Sequence, residues 1–157
     1  MSLYFTQFVQ SVPVYFTVKG SIPAMLGMVY LSKLFHAFLS FTLTQKYDIV
    51  QASYRNQAGK STSWAEKTVA RAYNAHCNQW EAFIGFTSAV LLALINNITT
   101  KELQSLVNAF LLVRLVYVVT YIVAFNEPLS LIRSAAFTLG LLIVFSIFTL
   151  SVGSSVF

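Results

Sequence analysis

Residues 71–83 read Arg71-Ala72-Tyr73-Asn74-Ala75-His76-Cys77-Asn78-Gln79-Trp80-Glu81-Ala82-Phe83, and the chain continues without a charge from Ile84 to Ile98. Arg71, Asn74, Asn78 and Glu81 follow one another at spacings of three, four and three, which places them on one face of a helix. A helix with a polar stripe in its first turns and apolar side chains on all sides afterwards is an element that enters a bilayer. Gly85, Ala89 and Ala93 add a row of small residues four apart, which lets a neighbouring helix approach closely in lipid.

Working outward, three further segments have the length and apolarity of spans. With the first they give four spans at about 22–44, 74–98, 103–125 and 129–152. Lys33 and His36 interrupt the first, Arg114 the third, and Arg133 lies near the start of the fourth. The totals agree: 57% of residues are hydrophobic, 10% are charged, and the mean hydropathy is +0.68. Soluble domains have roughly 45–50% apolar and about 25% charged residues, and a body of this size hides only about 70% of its unfolded surface. These values exclude an ordinary soluble domain and disfavour disorder. The expected fold is all-α, an integral membrane four-helix bundle forming one domain over 21–157. Residues 1–20 are aromatic-rich and broken by Pro13 and Gly20, and read as an interfacial or extended arm. Met1 to Phe5 lack the charged n-region of a secretory signal, so the first span is expected to act as its own insertion signal.

Helix starts carry their own chemistry. Ser63-Trp64-Ala65-Glu66 and Thr99-Thr100-Lys101-Glu102 both fit a capping box. A helix capped by Ser63 and ending at 98 would be about 50 Å long, longer than the ~30 Å hydrocarbon core, so its first turns would project into water. Pro128 suits the first turn of the fourth span. The short connections near 96–102 and 125–129 make the last three spans antiparallel neighbours. With four spans, Lys46, Arg55, Lys60, Lys67, Arg71 and Arg133 fall on one side and Lys19 and Lys101 on the other. The excess places the 45–70 loop in the cytoplasm. Either an endoplasmic-reticulum-type or a bacterial inner membrane is compatible with this. Asn97-Ile98-Thr99 is a glycosylation sequon on the far side, close to the membrane.

The excess of ten Lys/Arg over five Asp/Glu is explained by this asymmetry, and without a basic run interleaved with aromatics no nucleic-acid partner is expected. Cys77 is the single cysteine, so an internal disulfide is impossible, and it reads as a helix residue rather than a nucleophile. The chain has no nucleotide-binding glycine loop, no HExxH, no GxSxG and no zinc spacing, so no metal is expected. His36 and His76 lie on different spans and their expected depths match poorly, so no haem is expected. Lys33 and His36 read as an interior polar pair or a snorkelling lysine.

Ionisable groups inside spans usually face the bundle or a wet cavity. Arg114, Tyr117 and Tyr121 share one face of the third span, and Arg133 and Ser134 open the fourth. In the chosen orientation these groups and the stripe of the second span converge in the cytoplasmic half. Two readings of the constellation are open on spacing alone. It forms a site for a polar, multiply charged small molecule, with arginine forks for carboxylates. Otherwise Glu81 and Arg114 neutralise each other, with Asn78 and the tyrosines completing the hydrogen bonding.

The stretch Ala75-His76-Cys77-Asn78-Gln79-Trp80-Glu81 resembles the Ala-His-x-Asn-x-x-Glu core of the MAPEG family, the membrane-associated proteins in eicosanoid and glutathione metabolism. Arg114-Leu115-Val116-Tyr117-Val118-Val119-Thr120-Tyr121 is similar to that family's Arg-x-x-(His/Tyr)-x-x-x-Tyr. Leu131-Ile132-Arg133-Ser134, followed by Gly140, matches the start of its fourth helix. The resemblance covers about 22–152. It implies a homotrimer in the bilayer, with glutathione between subunits near the cytoplasmic side and a lipophilic small molecule as second substrate. It also implies roles: Asn78 and Glu81 on the glutathione backbone, Tyr117 and Tyr121 against it, Arg133 on the thiolate, and Ser134 beside the sulfur. Arg114 would support the contact between the second and third spans.

Three positions depart from prostaglandin-type members. Asn74 and Cys77 stand where those proteins carry arginines that hold glutathione carboxylates, and Phe137 stands where they carry a tyrosine. Arg71, one turn earlier, is a candidate replacement for the carboxylate clamp. The chain therefore resembles a divergent member. The expected activity is glutathione-dependent transferase or peroxidase chemistry on a lipophilic electrophile or hydroperoxide. The alternative is a non-catalytic scaffold, or a lipid- or partner-binding protein, that has lost tight glutathione binding.

Overall fold

The computed structural model describes residues 3–44, 63–123 and 126–153. Lys46, Arg55 and Lys60, on which much of the cytoplasmic assignment of the 45–70 loop rests, lie outside the described residues, as do residues 154–157 at the end of the expected domain. The described residues form five helices: α1 Leu3–Ser11, α2 Val18–Thr44, α3 Trp64–Ile95, α4 Lys101–Val123 and α5 Glu127–Gly153. The last four are long and apolar enough to cross a membrane. Many of their large apolar side chains face outward, Leu31, Leu115 and Leu131 among them, as expected of helices solvated by lipid.

The helix ends show which local signals act. Thr17 caps α2, its Oγ1 accepting from Gly20 N at 3.1 Å. Ser63 occupies the N-cap position of α3 but makes no side-chain cap hydrogen bond, so that half of the expected capping box is absent. The α4 cap is shifted by one residue from the expected box: Thr100 Oγ1, not Thr99, accepts from Leu103 N at 3.2 Å. Asn126 Oδ1 accepts from Leu129 N and starts α5, with Pro128 in its first turn. α3 stops at Ile95 rather than running to 98. Asn97 adopts a positive φ of 56°, and Ile98 N bonds Ala93 O while Asn97 N bonds Leu94 O. This is a Schellman ending, with asparagine in the left-handed position that its side chain tolerates.

Packing gives an up-down-up-down bundle. α2 and α3 are antiparallel, with Tyr30 against Trp80 and His36 against Tyr73. Leu39 of α2 packs with Ala72 and Ala75 of α3 and Ile122 of α4. The third and fourth turns of α3 thus run beside the last part of α2. α4 returns against α3, with Phe86 and Phe110 stacked at 4.3 Å in the core. α5 packs on α4 and runs parallel to α3, where Asn96 Nδ2 donates to Ser151 O at 2.9 Å. Ala89 and Ala93 of the small-residue row are fully buried.

The arm contains the short helix α1, whose Val9 is buried in the core cluster. The segment after it is held by Asn108 of α4. Asn108 Oδ1 accepts from Tyr15 N and Phe16 N, and Nδ2 donates to Phe16 O and Gln104 O, all within 2.8–2.9 Å. One buried amide thus satisfies an irregular stretch of backbone.

Candidate functional site

The polar stripe of α3 meets α4 through Arg114. This arginine is 2% exposed. Its Nε donates to Gln79 Oε1 at 2.8 Å and its Nη2 to the Asn78 carbonyl at 2.9 Å. Its guanidinium lies over the Tyr117 ring at 4.3 Å. Asn78 Nδ2 donates to the Tyr117 hydroxyl at 2.7 Å. Hydrogen bonding and ring contact together offset the burial of a permanent charge. These bonds run to the neutral oxygens of Gln79 and the backbone, and the Glu81 carboxylate adds an electrostatic attraction to the same guanidinium. Glu81 is exposed and lines the same recess as Arg114.

Three adjoining recesses surround this junction. The first, about 220 Å³, lies among α3, α4 and α5 and is lined by Asn78, Glu81, Gly85, Arg114, Phe137 and Gly140, among others. The second, about 270 Å³, opens between α4 and α5 and is lined by Tyr117, Tyr121, Arg133, Ser134, Phe137 and Thr138. The third, about 150 Å³, is small and polar and lies between Tyr121 and the α3 residues Asn74, Cys77 and Asn78. Asn78, Tyr121 and Phe137 are each shared by two of them, so the recesses are contiguous around Tyr117.

In the second recess Arg133 stacks over Tyr121 at 4.8 Å and its Nη2 donates to Ser130 Oγ at 3.0 Å, one turn back on its own helix. Ser134 Oγ donates to the Ser130 carbonyl at 3.1 Å. Tyr117 and Tyr121 meet edge to face at 5.5 Å. Phe137 puts a plain ring 6.1 Å from Tyr117.

Of the candidate residues, Asn78, Glu81, Arg114, Tyr117, Tyr121, Arg133 and Ser134 therefore lie on one connected set of recesses. Arg71 lines none of the three; its Nη2 donates to Thr68 Oγ1 at 3.1 Å on the preceding turn. Helical period alone put it on the stripe, but the neighbouring helices leave it beyond the junction. The structure adds Gln79, which is fully buried and holds Arg114. Its signal in the sequence is an amide inside a span beside the stripe. Asn108 carried the same signal on the third span. The histidines also differ from expectation. His76 Nδ1 lies 3.1 Å from Val29 O and 3.2 Å from Ser32 Oγ, and His36 packs on Tyr73. Antiparallel packing of α2 on α3 thus brings the two within about a turn of each other, which corrects the depth mismatch inferred from position along each span.

A family model for the MAPEG family matches residues 21–153. No curated protein and no solved structure matches the chain. The match takes in the four long helices, apart from residues 18–20 of α2, and every residue of the recesses. The chain belongs to the MAPEG family and is an all-helical integral membrane protein.

Proposed function

We propose that the connected recesses bind glutathione and that the protein is a glutathione-dependent transferase or peroxidase acting on a lipophilic electrophile or hydroperoxide. The observation that carries this reading is the pairing of Arg133 and Ser134 with the two tyrosines in a recess that adjoins those lined by Asn78 and Glu81. The donor set fits a zwitterionic thiol peptide. Glu81 offers a carboxylate to an ammonium group. Asn74 Oδ1 is a buried acceptor with no hydrogen-bond partner among the described residues and lines the polar recess. Arg133 brings a charge to the open recess for a thiolate or carboxylate.

Bound glutathione supplies the sulfur nucleophile. The chain's own residues do the rest: Arg133 lowers the cost of a negative sulfur, Ser134 offers a hydroxyl beside it, and Tyr117 and Tyr121 wall the recess. Arg114 holds α3 and α4 at the spacing that keeps Asn78 in place. The lipophilic partner arrives through the bilayer, which is a physical reason to keep such chemistry in a membrane protein. The site is expected to be completed at a subunit boundary in a homotrimer, on the cytoplasmic side. Titration of purified protein with millimolar glutathione by calorimetry should give a saturable signal that Arg133→Ala or Glu81→Gln weakens; no signal from the unaltered protein would end this reading.

The loss of carboxylate clamps supports a second reading. Asn74 and Cys77 are uncharged, and Arg71 lines none of the three recesses. A charge-assisted hydrogen bond contributes about 1.5–3 kcal/mol, so a pocket without these clamps suits a scaffold that has given up tight glutathione binding. In that case Arg133→Ala leaves the cellular function intact, whereas an enzyme loses it.

A further inference from the structure

Lys33 places a charge inside a span, about 16 Å from the nearer end of α2 at Thr44. It is half-buried and forms no ion pair or hydrogen bond among the described residues. Its Nζ stands 5.9 Å from the centre of the Tyr73 ring, at the limit of about 6 Å for a cation–π contact, so its three N–H donors are uncommitted. An ionised side chain within a span is costly unless it is paired. The register of α2 on α3 shows what surrounds it. Tyr30 meets Trp80 and His36 meets Tyr73, which puts Lys33 level with Cys77, and the two lie within electrostatic reach. Cys77 in turn lines the small polar recess with Asn74 and Asn78. Tyr73, Cys77 and Glu81 follow one another four apart and form one ridge of α3. Glu81 is exposed on that ridge, about 6 Å along the helix from Cys77. Cα–Cβ bonds tilt toward the N-terminus of their own helix. Because α2 and α3 are antiparallel, Lys33 and Glu81 tilt toward each other across Cys77.

We propose that Lys33 and Glu81 together grip the α-amino-acid end of the thiol peptide, its carboxylate on Lys33 and its ammonium on Glu81. This role for Lys33 rests on the glutathione reading and adds a binding residue to it. Glutathione has two carboxylates, one ammonium and, when reactive, a thiolate, so a single available cation does not match it. Arg114 is committed to Gln79 and the Asn78 carbonyl, and Arg71 bonds Thr68. Arg133 lies in the recess with Ser134, where the sulfur is expected. Lys33 is the further cation within reach of the polar recess, through Cys77. An α-amino acid carries its opposite charges on one carbon. A cation and a carboxylate about one turn apart and tilted toward each other match that pair, whereas a ligand of single charge satisfies only one of them. Binding in this way also pairs two charges that the span otherwise holds at a cost. The flexible four-carbon stem of lysine lets the ammonium leave the Tyr73 ring for the carboxylate without a shift of either helix.

The test is calorimetry on the full-length protein in phosphatidylcholine nanodiscs with three peptides. They are glutathione, its glycine ethyl ester, and 4-aminobutanoyl-cysteinyl-glycine, which keeps the ammonium and lacks the neighbouring carboxylate. The unaltered protein should bind the last peptide roughly ten- to hundredfold more weakly than glutathione, the worth of one charge-assisted hydrogen bond. Lys33→Met should weaken glutathione and its ester by a similar factor and leave the decarboxylated peptide unchanged, while Lys33→Arg should keep most of the affinity. Equal affinity of the unaltered protein for glutathione and the decarboxylated peptide would overturn the proposal, and this comparison needs no variant to fold. It would also be overturned if Lys33→Met bound glutathione undiminished, lost all three peptides equally, or behaved no differently from Lys33→Arg. Binding of glutathione that ignores Lys33 would end this proposal alone; no binding of any of the three would end the glutathione reading with it.

Discussion

Arg114 and Arg133 sit on neighbouring helices around the same two tyrosines, yet their surroundings are opposite. Arg114 is buried, and it bonds Gln79 and the Asn78 carbonyl across the α3–α4 contact while stacking on Tyr117. Arg133 is half-buried, stacks on Tyr121, and among the described residues makes its one hydrogen bond to Ser130 of its own helix. The difference separates two jobs. A guanidinium clamped between helices holds the bundle in register. One whose hydrogen bond stays on its own helix and whose plane lies on Tyr121 keeps most of its donors uncommitted, as the proposed binding role requires. Equal motif membership therefore hides unequal roles.

The largest expected effect falls on the clamped arginine. Arg114→Ala leaves buried Gln79 Oε1 without its donor, removes the interhelical bond to the Asn78 carbonyl and opens a cavity, so it should destabilise by about 3–5 kcal/mol. The readout is the unfolding midpoint in detergent; a change below about 1 kcal/mol would mean the clamp is not structural.

Arg133→Ala should do the reverse. Stability should stay within about 0.5 kcal/mol, while glutathione-dependent turnover falls on the order of 10²–10³-fold, as for loss of one preorganised electrostatic donor. If its unfolding midpoint drops as far as that of Arg114→Ala, the two arginines are alike and the comparison fails.

Tyr117→Phe sharpens the boundary between the regions, because Tyr117 touches both. It removes the hydroxyl that accepts from Asn78 Nδ2 and should cost about 1 kcal/mol while the ring remains under Arg114. The smallest effect is expected at Gly140. A methyl added there would meet Arg114 Cδ at 3.7 Å and Phe110 at 3.8 Å, ordinary contact. Gly140→Ala should shift stability by no more than about 0.5 kcal/mol. A larger loss in the same unfolding assay would show that the recess is tighter than these distances imply.

The four spans were legible because a spanning helix must present some twenty apolar residues in a row, and α2 through α5 do so. The start of α3 at Trp64 was legible in Ser63 and Glu66, although Ser63 does not cap through its side chain. Ends that depend on one residue's conformation were not: Asn97 in the left-handed region ends α3 early, and Thr100 takes the cap expected of Thr99. The recess residues from Asn78 to Ser134 were named from period and motif. Gln79 was not, because it lies a helical step off the stripe, and only the position of α4 makes that step face Arg114.

By itself, the sequence determined the membrane class, the helical architecture, the family, and the polar faces of the individual spans. These follow from local quantities, namely apolar run length and a 3.6-residue period, that each segment carries alone. Only the tertiary structure decided that Arg114 bonds Gln79 and the Asn78 carbonyl, that Arg71 lies beyond the recesses, and that His36 comes within a turn of His76. Each depends on how helices are rotated and shifted against one another. That is set by the fit of many side chains at once, which no single segment encodes.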